Sequence, residues 1–180
     1  MVFFATSNKE KLKEAQQILN VPIQELEFDY PEIRSDSLEE VARDAVRAAY
    51  RRCKDQVFVE DSGLFINALK GFPGTYSGWV QKKIGNEGIL TLMEGVDDRA
   101  AYFEACIAYM HDKEHVALFR GKCQGTISLE PRGEKGFGYD PIFVPDGEHQ
   151  TFAESIELKN KLSHRYKALL EFSKSLSLRS

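Results

Sequence analysis

Apolar residues along the chain repeat with two different periods. Residues 2–6, Val-Phe-Phe-Ala-Thr, predict a short buried strand. Ser7-Asn8 ends it. Leu12, Ala15, Ile18 and Leu19 then recur at spacings of three and four and predict an amphipathic helix, with Ser7 or Asn8 as its N-cap. Residues 23–28 read as a second strand. A polar stretch, 30–37, leads to a cap-like Ser37. Leu38, Val41, Ala45, Ala48 and Ala49 predict a second helix reaching about Cys53. Residues 56–59 predict another strand, stopped by Glu60-Asp61-Ser62-Gly63. Gly71-Phe72-Pro73-Gly74 is a turn signal. Helical patterning begins near Ser77 and resumes from Asn86 to Met93. Strands are expected at 100–110 and 115–120, joined by a hairpin connector at 111–114, with a third at 125–129. Pro131 to Tyr139 reads as a loop. Ala168, Leu169, Phe172 and Leu176 form one stripe of a C-terminal helix.

Strands alternate with helices at the start, and hairpins follow. This order predicts an α/β fold with a mixed sheet. No repeat, low-complexity tract or linker interrupts it, so one domain over 1–180 is the economical organisation. Its 180 residues are 42% hydrophobic, 11% aromatic and 29% charged, as expected of a globular chain rather than a disordered one. The longest apolar run, Ala105 to Met110, is far short of the about 20 residues of a bilayer span, so no membrane contact is expected. The first residues lack a basic leader. Cys53, Cys106 and Cys123 form no CxxC pair, which points to buried reduced thiols and a cytoplasmic location rather than a zinc site. A net charge of −4 weighs against a nucleic-acid partner.

Four segments carry candidate chemistry. Thr6-Ser7-Asn8-Lys9-Glu10-Lys11 opens a helix, where unpaired N–H groups and lysines suit a phosphate; an ordinary capped helix with a solvated lysine face would read the same. Glu60-Asp61-Ser62-Gly63 follows a buried strand, where open α/β sheets gather ligands, although Asp-Ser-Gly is also a common turn. If Glu32 meets Asp61 in space, the two carboxylates can hold a hard cation such as Mg2+. Gly136-Phe137-Gly138-Tyr139-Asp140-Pro141 offers aromatics for stacking a planar ring, or anchors for the core. Lys159-Asn160-Lys161-Leu162-Ser163-His164-Arg165 gathers donors where one helix ends and another starts. Together the segments supply the parts needed to bind a nucleoside triphosphate with its metal. Carboxylates beside phosphates would repel them unless a cation lay between.

Ala5 to Lys11, Glu60 to Leu64, Gly71 to Gly74, Phe137 to Pro141 and Ser163-His164-Arg165 occur in that order over nearly the whole chain. This set strongly resembles the inosine triphosphate pyrophosphatase family, the non-canonical purine NTP or dITP/XTP pyrophosphatases. The resemblance implies an elongated mixed sheet with helices in two lobes around a cleft, and a homodimer. It implies hydrolysis of ITP, dITP and XTP to the monophosphate and pyrophosphate with Mg2+, Mn2+ being a possible substitute. Carried onto this chain, Thr6, Ser7, Asn8, Lys9, Glu10 and Lys11 hold the phosphates. Glu32 and Asp61 serve the metal, with Asp61 as general base, and Ser62 touches the nucleotide. Phe137 stacks on the base, with Gly138, Tyr139 and Asp140 beside it. Lys159, His164 and Arg165 complete the contacts, the last two at the purine edge. A 6-keto purine presents an acceptor where adenine presents a donor, and a site built on that bond can discriminate by about 10⁴-fold. Many relatives carry a lysine at the position of Ala45, for which Arg43 or Arg47 is the candidate substitute, and some carry one at the position of Gly78, for which Lys82 or Lys83 is. Two alternatives stay open: a Maf-like pyrophosphatase of other base preference, and a non-catalytic nucleotide sensor.

Overall fold

The computed structural model describes residues 1–28 and 30–177. Among the described residues, seven strands form one mixed sheet in the order β2-β1-β3-β5-β6-β7, with β4 paired to β3. β1 (Val2–Ala5) runs parallel to β2 (Ile23–Leu26) and to β3 (Val57–Ile66). β4 (Pro73–Gly74) is antiparallel to β3, and β7 (Phe143–Pro145) is antiparallel to β6 (Ala117–Ile127). β5 (Ala100–Met110) lies between β3 and β6. The helices are α1 (Lys9–Ile18), α2 (Leu38–Cys53), α3 (Ser77–Leu92), α4 (Ile156–Leu162) and α5 (His164–Ser177).

The chain gathers into two compact units. Unit 1 comprises residues 1–61, 105–121 and 165–180; unit 2 comprises 62–104 and 122–164. Each has its own apolar core. In unit 1, Phe4 stacks on Phe58 at 4.2 Å, and Phe172 of α5 packs against Phe58 and Tyr109 at 5.0 Å each. Ala168, Leu169 and Phe172 are buried in this core, as the stripe in the sequence predicts. In unit 2, Phe103 and Phe143 meet edge-on at 4.6 Å among Leu64, Ile66, Ile89 and Phe152.

Helix boundaries agree with the capping chemistry. The Asn8 side chain accepts from the amides of Glu10 and Lys11, and that of Ser37 accepts from Glu40. Such caps satisfy donors that the first turn leaves open. Two strand expectations are corrected. β3 does not stop at Glu60; it runs through Glu60-Asp61-Ser62-Gly63 to Ile66. The acidic residues stay in the strand because Glu60, buried, is neutralised by ion pairs. The separate strands expected at 115–120 and 125–129 are one strand, β6. Its burial alternates strictly from Gly121 to Ile127, with Gly121, Cys123, Gly125 and Ile127 inward. Gly125 therefore marks a close approach and not a break, since a Cβ there would overlap the Val144 carbonyl and the Phe143 ring. β7, its partner, was not expected from the sequence.

Candidate active site

In unit 1 the polar turn after β1 and the middle of β3 line one cavity of about 200 Å3. This is smaller than the roughly 300–1,000 Å3 of pockets that enclose a whole small ligand, so it suits one end of a molecule. Thr6, Ser7, Asn8, Lys11, Glu32, Glu60 and Asp61 contribute to its wall, with Ala45 of α2 and the rings of Phe28 and Tyr30. The structure thus unites Glu32 with Asp61 and both with Lys11. Lys9 and Glu10 are not in that wall. Lys9 reaches Glu25 at 2.6 and 2.7 Å, and this bond holds its ammonium above the ordinary lysine range. Glu10 pairs with Lys13 at 2.8 Å.

The turn is internally bonded. The Asn8 amide donates to Thr6 Oγ1 at 3.1 Å, and Asn8 Oδ1 accepts from Glu10 and Lys11. Two of the helix-start donors are therefore already used, and a ligand here would meet mainly side chains. Lys11 is the one cationic side chain in the wall among the described residues. Arg43 and Arg47 are not part of the wall, although Ala45 is.

The wall continues into a buried ionic network. Lys11 Nζ lies 2.7 Å from Glu60 Oε2 and donates to the Glu60 carbonyl at 3.1 Å. Arg165 Nε is 3.2 Å from Glu60 Oε1, and its Nη1 donates to Glu14 Oε2 at 2.8 Å. The Glu60 and Arg165 side chains are 1% and 4% exposed. Burial opposes the guanidinium charge, but Glu60 and Glu14 outweigh it and hold the group above its ordinary range. The formal charges of this network cancel, so Glu32 and Asp61 leave the cavity net acidic. Among the described residues no three His, Cys, Asp or Glu side chains form a metal cage. Mg2+ commonly takes only one or two protein carboxylates, with phosphates and water filling its shell. Glu32 and Asp61 fit that donor set. Tyr30 donates a hydrogen bond to Asp44; burial and this bond push its phenol up to about 12.

Unit 2 holds the aromatic segment. Asp140 Oδ2 accepts from the Phe137 amide at 2.8 Å and from Lys159 Nζ at 2.8 Å. Lys159 Nζ also lies 4.1 Å from the centre of the Phe137 ring, a cation–π contact. Lys159 and Asp140 are both buried, whereas Phe137 and Gly138 are half-exposed. Tyr139 sits in the unit 2 core, donating to the Ser77 carbonyl at 2.9 Å, and burial raises its pKa. His164 is 4% exposed and stacks on Phe103 at 4.6 Å. Ser62 follows Asp61 in β3 and is half-buried. His164 and Arg165, adjacent in sequence, thus pack on different partners, a ring of unit 2 and carboxylates of unit 1.

Sequence reasoning missed Glu14 and Tyr30, and also Gln81 and Asn86, whose carboxamides both donate to the Gly138 carbonyl beside Phe137. Glu14 had a faint signal: it stands three residues after Lys11, on the same helix face. The two amides had another, the lapse in helical pattern between Ser77 and Asn86.

The model of the Ham1 family matches residues 2–175. A dITP/XTP pyrophosphatase of Methanopyrus kandleri is 51% identical over 175 residues, 95% of this chain and 93% of that protein. One of Thermococcus kodakarensis is 48% identical over 173 residues, 94% and 93% of the two chains. Among solved structures, the Ham1 protein of Staphylococcus aureus superposes with a TM-score of 0.88 at 28% identity, covering 100% of both chains. A HAM1 protein of Coxiella burnetii gives 0.86 at 33%, covering 99% of this chain and 100% of its own. With the match running almost from end to end and half of the positions shared with a relative so named, this chain belongs to the Ham1 family.

Proposed function

We propose that this protein hydrolyses non-canonical purine nucleoside triphosphates, ITP, dITP and XTP, by adding water across the α–β phosphoanhydride. The products are the nucleoside monophosphate and pyrophosphate. The relatives' name, dITP/XTP pyrophosphatase, supports this reading. The observation that carries it is the acidic cavity of unit 1, where Glu32 and Asp61 share a wall with Lys11 and the Thr6-Ser7-Asn8 turn. A polyphosphate entering a net acidic cavity needs a cation between the charges. Glu32 and Asp61 would hold Mg2+, with Mn2+ as a substitute; the ion, when bound, supplies charge neutralisation for the phosphates. The Lys11 ammonium and the hydroxyl and amide groups of Thr6, Ser7 and Asn8 bind phosphate oxygens. Asp61 accepts the proton of the attacking water, a role worth about 10²–10⁴-fold. Glu60 keeps Lys11 in place from behind.

In unit 2, Phe137 takes the purine face, and Gly138, Asp140, Lys159 and His164 belong to the base-binding group, with Arg165 and Ser62 completing the contacts. Removing deaminated purines from the nucleotide pool would be work for the cytoplasm, and the family resemblance implies a homodimer. Among the described residues, no helix is long and apolar enough to cross a membrane. The test is pyrophosphate release from ITP, XTP, dITP, GTP and ATP with Mg2+. ITP and XTP turn over fastest; ATP hydrolysed as fast as ITP overturns the specificity.

A further inference from the structure

The Phe137 segment is fastened at more points than its own ion pair provides. On the N-terminal side of the ring, the Phe137 amide donates to Asp140. On the C-terminal side, the Gly138 carbonyl accepts two carboxamides, Gln81 Nε2 at 2.9 Å and Asn86 Nδ2 at 3.1 Å. Both lone pairs of that oxygen are thereby used. Gln81 and Asn86 lie in α3, five positions apart. In a continuous α-helix residues five apart point about 140° away from each other, so they could not meet one acceptor. They meet here because Gly85, between them, leaves the helix with φ 61° and ψ −163°. That conformation is open to glycine and disfavoured for other residues. Gln81 Nε2 also lies 3.4 Å from Asn86 Oδ1, tying the two amides together. Gln81 Oε1 is buried and, among the described residues, meets no donor.

We propose that Gln81 and Asn86 are positioning residues that hold the Phe137 ring ready for base stacking, and that the break at Gly85 exists to bring them together. The proposal rests on the reading of Phe137 as the ring that takes the purine. A preorganised ring loses no freedom when the base arrives, so the clamp acts on binding more than on the chemical step.

The test uses the full chain and the isosteric double variant Gln81→Glu/Asn86→Asp, which removes both donors and keeps the volume. Asn86→Ala, at a half-buried position, is the milder companion. The double variant raises KM for ITP by about tenfold with kcat within about twofold, and Asn86→Ala raises it by about threefold, since each lost bond weakens the hold on the loop. Amide hydrogen exchange at Phe137 to Tyr139, measured without substrate, speeds up by about tenfold in the double variant. Gly85→Ala, which favours a continuous helix, shifts KM in the same direction. Unchanged KM, or a fall in kcat alone, overturns the proposal; so does unchanged exchange at Phe137. If the wild type releases no pyrophosphate from ITP, the proposed function fails, and the exchange measurement still decides whether the clamp exists.

Discussion

In unit 1, Lys11 and Arg165 meet around the buried Glu60 carboxylate and Arg165 also holds Glu14, whereas around Phe137 in unit 2 the Lys159–Asp140 ion pair shares the work with a backbone carbonyl and neutral amides. Under the proposed function, the contrast follows from what each region would handle. A cavity for a polyphosphate needs charge at its wall, and that charge must be fixed by other charges behind it. A surface for a flat, neutral ring needs orientation, which hydrogen bonds to the loop backbone supply. Both regions bury ions, but it is in unit 1 that further carboxylates, those of Glu32 and Asp61, line the same cavity wall.

Three measurements break or sharpen this contrast. The largest effect belongs to Asp61→Asn, which keeps shape and removes the base: kcat for ITP falls by about 10³-fold while thermal unfolding is nearly unchanged. A rate close to wild type would mean that the charge at this wall does not serve the reaction. Next is Glu60→Gln, which leaves Lys11 and Arg165 facing a neutral amide in a buried place. Removing one partner of a buried pair costs about 3 kcal/mol, read as a lower Tm or denaturant midpoint. A shift near zero would show that the network is solvated rather than structural. The smallest effect is at Tyr30. Its phenol is raised from 10.0 to about 12 by burial and by its bond to Asp44, so the fold favours the protonated form. The associated stability is fully present below pH 10 and is lost as pH rises towards 12. Tyr30→Phe therefore loses less stability than wild type over that interval, as denaturant unfolding at stepped pH would read; parallel losses would sever Tyr30 from the cavity's charge balance.

The helices were the most legible part of the chain. α2 begins after Ser37 and ends at Cys53 because its cap and its apolar spacing are local properties. The strands were less so. Glu60 to Gly63 looked like a turn because its residue types are turn residues, and only the distant Lys11 and Arg165 make a buried acid tolerable inside β3. Gly125 looked like a boundary because sequence does not reveal which backbone lies against it.

The site divides in the same way. The phosphate and acidic segments, Thr6 to Lys11 and Glu60 to Gly63, stand out as motifs, whereas Glu32 is a candidate only through its meeting with Asp61; the resemblance of the motifs to a pyrophosphatase family agrees with the match over residues 2–175. Lys9 and Glu10 stood in the motif equally, yet the turn of α1 directs them to Glu25 and Lys13. Arg165 finds Glu14 across 151 positions of sequence, and Gln81 and Asn86 find Gly138 across 57 and 52. Local order is encoded within a few residues, through capping and periodicity, and the amino-acid sequence alone determined it here. Which charges neutralise one another, and which amides seize a given carbonyl, depends on chain segments that only folding brings within 3 Å or so, the range over which a hydrogen bond acts.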